Sequence, residues 1–250
     1  MNLIFEDEPL TVAVVKAIRT GDVQSLKHLL VENPNLATAR IVGRAFDEKC
    51  TSLGMSRTLL HVVTDWPGHF QNGAKSVGIL IEAGAEVNAR FTGPHTETPL
   101  HWAASSNDME VLNALLDSGA DIEAPGAVIG GGTPLDNAVA FRQWNAARRL
   151  VECGAQTKLW NEAALGLMDR VKERFACNPI PASNEITKAF WLACHGGQLS
   201  AAEYFLEYGA DLNWIGYDGL SPLDTALQSS AEDLVEWLRG QGAKSARELV

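Results

Sequence analysis

A glycine–alanine phrase closes a short apolar segment five times along this chain. It reads GAEVNA at 84–89, GADIEA at 119–124, GAQTK at 154–158, GADLN at 209–213 and GAKSA at 242–246. Three of these closures follow a matching start: TPLH at 98–101, TPLD at 133–136 and SPLD at 221–224. In each, the opening Thr or Ser precedes the closing Gly by 21 residues (98 to 119, 133 to 154, 221 to 242). A fixed period describes a stack of like units rather than one closed core, because each unit buries its apolar face on its neighbours. The expectation is therefore one continuous domain over residues 1–250.

The clearest unit runs from Thr98 to Ala124. The Thr98 hydroxyl suits a helix N-cap, and Pro99 follows at the first helical position, where a missing N–H costs nothing. Leu100, Ala103 and Ala104 give a first helix with a thin face that lets a neighbour approach closely. Asn107-Asp108 breaks it. A second helix starts near Met109, with Val111, Leu112, Leu115 and Leu116 at helical spacing. Gly119 stands where a left-handed C-cap belongs, and Ala120-Asp121-Ile122 leaves as an extended finger.

The TPLHxAA and LLxxGAD phrases resemble the ankyrin repeat. The resemblance implies an all-α solenoid of about seven helix-turn-helix units, with finger loops and a concave groove. The units fall near 8–35, 58–90, 98–124, 133–158, 159–183, 188–214 and 221–245, with a long connecting loop at 36–57. The fifth, LWNEAALGLMDRVKERF at 159–175, has a helix pair but no finger. The compact GA-ending units look like those of bacterial ankyrin-repeat proteins.

Composition narrows the function. A net charge of -11 disfavours nucleic-acid binding, which needs a basic surface, and mildly favours basic partners. Cys50, Cys153, Cys177 and Cys194 form no CxxC motif and read as reduced thiols. No apolar run approaches the ~20 residues of a membrane span. The opening MNLIFEDEPL is acidic where a secretory signal would be basic. A cytoplasmic, monomeric protein with no cofactor and no membrane contact is expected.

Three interruptions break the period. The stretch 36–57 is longer than a normal finger and carries Arg40, Arg44 and Lys49. The second unit has five extra residues between its helices, in DWPGHFQNGA (Thr58 to Gly84 is 26 residues, against 21). AVIGGG at 127–132 places three glycines in the finger before the fourth unit. Each is read either as neutral length variation or as part of a binding face.

Catalytic and metal chemistry find little support. His61 and His101 occupy the fourth position of TPLH-type starts, where the resemblance implies inter-repeat hydrogen bonds. His69 and His95 lie in the insertion and in a finger, open to function. No HxxxH, HExxH or paired CxxC pattern is present to hold zinc. Cys194 and His195 are neighbours on a helix about 100° apart, so they do not pair with each other. The GGG run lacks the following Lys-Ser/Thr of a phosphate loop.

The resemblance further implies binding through the concave face. Transferred position by position, it offers Arg19, Arg57, Asp65, Trp66, His95, Glu97, Ser105, Ser106, Ala140 and Phe141, with Gly130 and Gly132 in a finger. Further along it offers His195, Tyr217, Asp218, Gln228 and Ser229. Trp66 and Phe141 stand out as aromatic anchors. Alternatively, Trp66 and Phe70 fold the insertion back as a small satellite core. The other tryptophans are expected to pack. Because the interruptions cluster in the second to fourth units, the expected contact region centres on Asp65, Trp66, His69, His95, Glu97 and Phe141. The expected ligand is another protein or a segment of one, so no enzymatic role is assigned. The alternative is a small-molecule or enzymatic site built from DWPGHF (65–70) and adjacent fingers. That reading requires a closed pocket of roughly 300 Å³ or more and a histidine–carboxylate pair in hydrogen-bond reach.

Overall fold

The computed structural model describes residues 2–43 and 54–249. Arg44, Lys49 and Cys50 lie outside the described residues. The chain divides into two compact units, Met1–Ala155 and Gln156–Val250.

The first unit contains four helix pairs. They are α1 (Pro9–Thr20) with α2 (Val23–Glu32), α3 (Leu59–Thr64) with α4 (Gly73–Glu82), α5 (Pro99–Ser106) with α6 (Met109–Asp117), and α7 (Pro134–Ala140) with α8 (Trp144–Glu152). First helices stack on first helices (α1 on α3 on α5 on α7), and second helices follow in parallel. The residues explain the close stacking. Ala103, Ala104 and Ala138 are fully buried, so the first helices meet across small side chains. Leu26, Leu80, Leu112 and Leu150 are fully buried along the second helices, each contributing about 1.5–3 kcal/mol by leaving water.

Caps set where the helices start and stop. Asp136 Oδ2 accepts the Thr133 N–H at 2.9 Å, and Asp224 Oδ2 accepts the Ser221 N–H at 3.0 Å. In the TPLH-type starts histidine takes the same place: His61 Nδ1 accepts the Thr58 N–H and His101 Nδ1 accepts the Thr98 N–H. With Nδ1 accepting, Nε2 carries the proton and donates to the next finger, His61 to Glu97 O at 3.1 Å and His101 to Gly132 O at 3.3 Å. Burial holds both rings neutral, lowering His61 to about 3 and His101 below its ordinary value. Gly119 has φ 86°, the expected left-handed cap, and the Ala120 N–H returns to Leu115 O at 3.0 Å.

The asparagine ending the GA phrase ties successive fingers together. Asn88 Oδ1 accepts the Asp121 N–H at 2.7 Å in the first unit. Asn213 Oδ1 accepts the Lys244 N–H at 2.8 Å in the second.

The second unit contains α9 (Leu159–Leu165) with α10 (Met168–Ala176), α11 (Ser183–His195) with α12 (Leu199–Glu207), and α13 (Pro222–Gln228) with α14 (Glu232–Gly240). A 3-10 turn at Tyr217–Gly219 and a short α15 (Ala246–Leu249) complete it. Helices α9 and α13 both pack on α11. The fifth repeat has the expected helix pair, and α11 follows it after only a short connection.

The fold is all-α apart from a small sheet that sequence reading did not anticipate. Strands β1 (Leu3–Phe5), β2 (Arg40–Val42) and β3 (Ser56–Thr58) form a sheet in the order β1-β2-β3, parallel then antiparallel. Both ends of the stretch expected as a loop at 36–57 are therefore strands. Arg40, expected in a basic cluster, is structural: it donates to Ser56 Oγ at 2.8 Å and to Arg90 O at 2.7 Å. Among the described residues no helix is long and apolar enough to cross a membrane.

Candidate functional site

The DWPGHF insertion is held from both sides. Asp65, at the end of α3, accepts Arg19 at 3.0 Å and Arg57 at 2.9 Å, so two guanidinium groups offset its charge. Beyond it, the His69 N–H donates to Asp108 Oδ2 at 2.6 Å, and His69 Nε2 meets Ser106 O at 3.0 Å. Asn72 Nδ2 reaches back to Gly21 O at 3.0 Å. Gly68 is required here, because it has φ 72° and a Cβ would stand 2.9 Å from Ser106 Oγ. The loop thus bridges the first and third helix pairs and leaves Trp66 83% exposed. This corrects the satellite-core alternative, since an exposed indole covers nothing.

The next finger supplies a buried acid. Glu97, only 4% exposed, joins four groups. Its Oε1 accepts Asn137 Nδ2 at 2.6 Å and the Val128 N–H at 2.9 Å. Its Oε2 accepts Trp102 Nε1 at 2.8 Å and lies 3.1 Å from His95 Nδ1. The latter contact is close but poorly directed, so His95 Nδ1 is left without a hydrogen bond. The His95 ring stacks on Phe91, with centroids 4.6 Å apart and planes 16° apart. Glu97, expected among the contact residues, lines the cleft as a buried hub that fixes the AVIGGG finger, through Val128, to α5 and α7.

Together these elements enclose a cleft of about 200 Å³. Asp65, Trp66, His95, Glu97, Ser105 and Phe141 line it, along with Thr64, Trp102, Ser106, Val128 and Asn137. Five of the six residues at the expected centre are therefore brought together. His69 is not among them, because both its backbone and its ring are turned to the end of α5. Arg57 stands behind the cleft, holding Asp65.

His195 and Tyr217 belong to the second unit and line no part of this cleft. His195, expected to point into a groove, is 7% exposed. Its ring stacks on Trp191 at 5.3 Å, and Nδ1 meets Thr225 Oγ1 at 3.2 Å. Trp191 and Thr225 hold this side chain inward instead. Tyr217 is exposed and makes T-shaped ring contacts with Trp191 and Trp214.

Sequence reading missed Thr64, Trp102, Val128 and Asn137 as lining residues. Trp102 and Asn137 occupy the same place, four residues after the capping threonine of their units (98 to 102, 133 to 137). A bulky or polar residue there, next to the buried alanines, was the available signal.

Of the two features that a small-molecule site requires, the histidine–carboxylate contact is present and the closed pocket is not. The cleft is smaller than the roughly 300 Å³ expected for such sites, and an exposed Trp66 stands at its mouth. Among the described residues no cluster of three or more His, Cys, Asp or Glu side chains is disposed to hold a metal.

Comparison with known proteins gives the same picture as the helix pairs. The family model for ankyrin repeats (three copies) matches residues 14–126 and 70–161. The chain is 28% identical over 170 residues to ankyrin repeat and KH domain-containing protein mask-1 of Caenorhabditis elegans, covering 68% of this chain and 6% of that protein. It is 28% identical over 154 residues to alpha-latrocrustotoxin-Lt1a of Latrodectus tredecimguttatus, covering 62% and 9%. It is 29% identical over 252 residues to human ankyrin repeat and SOCS box protein 16, covering 92% and 49%. The chain thus spans at most about half the length of these relatives, which all come from animals. Ankyrin repeats indicate a protein–protein interaction scaffold and are generally non-enzymatic. With its TPLH-type caps, its stacked helix pairs and a family match across more than half its length, the chain belongs to the ankyrin-repeat family.

Proposed function

We propose that this protein is a non-enzymatic recognition scaffold, and that the cleft of the first unit captures a segment of a partner protein. The observation that carries this reading is the pair of exposed aromatics, Trp66 and Phe141, lining one cleft together with the buried polar side chains of Glu97 and Asn137. A tryptophan held out of its own core by a loop anchored at Arg19, Arg57, Ser106 and Asp108 buries little area in the fold. Aromatic anchors beside a pocket are the groups that dominate interface energetics. Rigid anchoring also means that little ordering entropy is lost on binding.

The test is affinity capture from native cell lysate with the wild type and the Trp66→Ala/Phe141→Ala variant, alongside thermal melts. Captured proteins that are lost in the variant, with an unchanged melting temperature, support the reading. Equal capture by both proteins, or a matched fall in melting temperature, contradicts it.

The small-molecule alternative draws on Asp65, His69, His95 and Glu97, of which His95 and Glu97 stand in contact. Both oxygens of Glu97 are already engaged by neighbouring donors, which suits a structural hub better than a proton-transfer group.

A further inference from the structure

The cleft offers a guest little hydrogen bonding, because its hydroxyl, amide and carboxylate groups are turned onto the protein itself. Glu97 has both oxygens engaged, by Asn137, Val128 and Trp102. Ser105 Oγ and Ser106 Oγ each donate to Trp102 O at 3.0 Å, and Thr64 Oγ1 donates to His61 O at 3.1 Å. Asn137 Oδ1 makes no hydrogen bond but is closed to solvent, so a guest does not reach it. What the cleft presents outward is apolar: Trp66, Val128 and Phe141 line it and are all exposed. A charged or polar side chain entering here would leave water without gaining partners, whereas an apolar one gains by burial. At about 200 Å³ the space suits one side chain rather than a larger molecule.

The edge of the cleft beside Trp66 carries a charge of the opposite sign to the whole chain. Asp65 Oδ2 accepts from Arg19 Nη2 at 3.0 Å and from Arg57 Nη1 at 2.9 Å, so two positive charges share one negative charge. The excess lies outward: the Arg19 side chain is 46% exposed, against 28% for Arg57 and 21% for Asp65. Among the described residues Arg19 makes that one hydrogen bond, which leaves guanidinium N–H groups for a second carboxylate. Because Asp65 lines the cleft and precedes Trp66, Arg19 stands one residue back from the aromatic anchor. The net charge of -11 acts at long range, but screening confines each contact to the groups within roughly 8 Å.

We infer that the partner is an acidic segment: one apolar side chain enters the cleft between Trp66, Val128 and Phe141, and a carboxylate within two residues of it pairs with Arg19. A basic side chain fits neither place, since the carboxylates in the cleft are taken and the open charge at its edge is positive. This inference rests on the cleft being the partner site and specifies what the partner brings to it.

The test uses a random phage-displayed peptide library selected on the intact chain, with counter-selection against Trp66→Ala/Phe141→Ala. Peptides that bind only the wild type should share an apolar residue with Asp or Glu within two positions of it. In synthetic copies, replacing the apolar residue by serine should weaken binding about tenfold or more. Replacing the acid by its amide should weaken binding about threefold to fivefold on wild type and leave it unchanged on Arg19→Gln. Both peptides are compared on the same protein, so a folding defect in Arg19→Gln would not produce that difference. Cleft-dependent peptides that lack the acid, that share a basic residue instead, or whose acid matters equally on Arg19→Gln would overturn this inference and leave the partner site standing. A selection that yields no cleft-dependent peptide would overturn both.

Discussion

Acid should loosen the first unit through two histidines that the fold keeps neutral. His61 is fully buried, with Nδ1 accepting from Thr58 and Nε2 donating to Glu97 O, and burial lowers its pKa to about 3. In the unfolded chain the same ring takes a proton near the ordinary histidine value of 6.5. The unfolded state therefore binds a proton that the folded state refuses. Stability is fully present above pH 6.5 and is lost as pH falls from there toward 3. Lowering the pH from about 7.5 to about 5.5 protonates the unfolded ring roughly tenfold in excess, which costs about 1.4 kcal/mol. His101 is shifted in the same direction by the same cause and adds to this loss. The assay is urea unfolding at the two pH values for the wild type and His61→Gln. The remaining titrating groups are common to both proteins and cancel in the comparison. Wild type should lose about 1.4 kcal/mol more than the variant over that interval. Equal losses would show that His61 is not held neutral, and the hydrogen-bond assignment at the repeat junction would fail with it.

Two further perturbations probe the second unit. Gly196 has no special φ, yet a Cβ there would collide with the Ala164 carbonyl oxygen where α11 crosses α9. Gly196→Ala should therefore destabilise by at least about 2 kcal/mol in chemical denaturation, and an unchanged midpoint would refute the packing. Glu162 is 2% exposed and accepts Arg174 Nε at 2.6 Å, Arg174 Nη2 at 2.8 Å and Thr157 Oγ1 at 2.7 Å. Arg174→Ala leaves that carboxylate with Thr157 alone and should cost about 2–3 kcal/mol, discounted because the arginine is partly exposed. A double variant with Glu162→Leu should recover part of the loss in the same measurement.

The repeat made the helix pairs legible, because caps, breaks and alanine faces are local and recur at fixed spacing. TPLH placed His61 and His101 correctly since a histidine at that position has one capping donor behind it and one finger carbonyl ahead. The sheet was not legible. Three-residue strands such as Leu3–Phe5 carry no period, and their partners lie far along the chain. At the cleft, reading the interruptions against the regular spacing brought Asp65, Trp66, His95 and Phe141 to one place. It also brought Glu97 there, but not its burial, because the donors that hold a charged finger residue are not visible in the spacing. Those donors are Trp102, Asn137 and Val128, which come from two helices and a glycine-rich turn. His195 was misplaced for a related reason. Its inward packing depends on Trp191 and Thr225, and no spacing rule links those residues.

The central claim is that Trp66 and Phe141 exist for binding and not for folding, and one calorimetric titration addresses it directly. A peptide selected from a random library for binding to the intact wild-type chain is titrated into wild type and Trp66→Ala/Phe141→Ala, with both proteins melted in the same buffer. Truncating two anchors worth about 2 kcal/mol each should weaken binding by a factor on the order of several hundred, with melting temperatures within about 2 °C. Unchanged affinity, or a lowered melting temperature in step with the lost affinity, would contradict the claim.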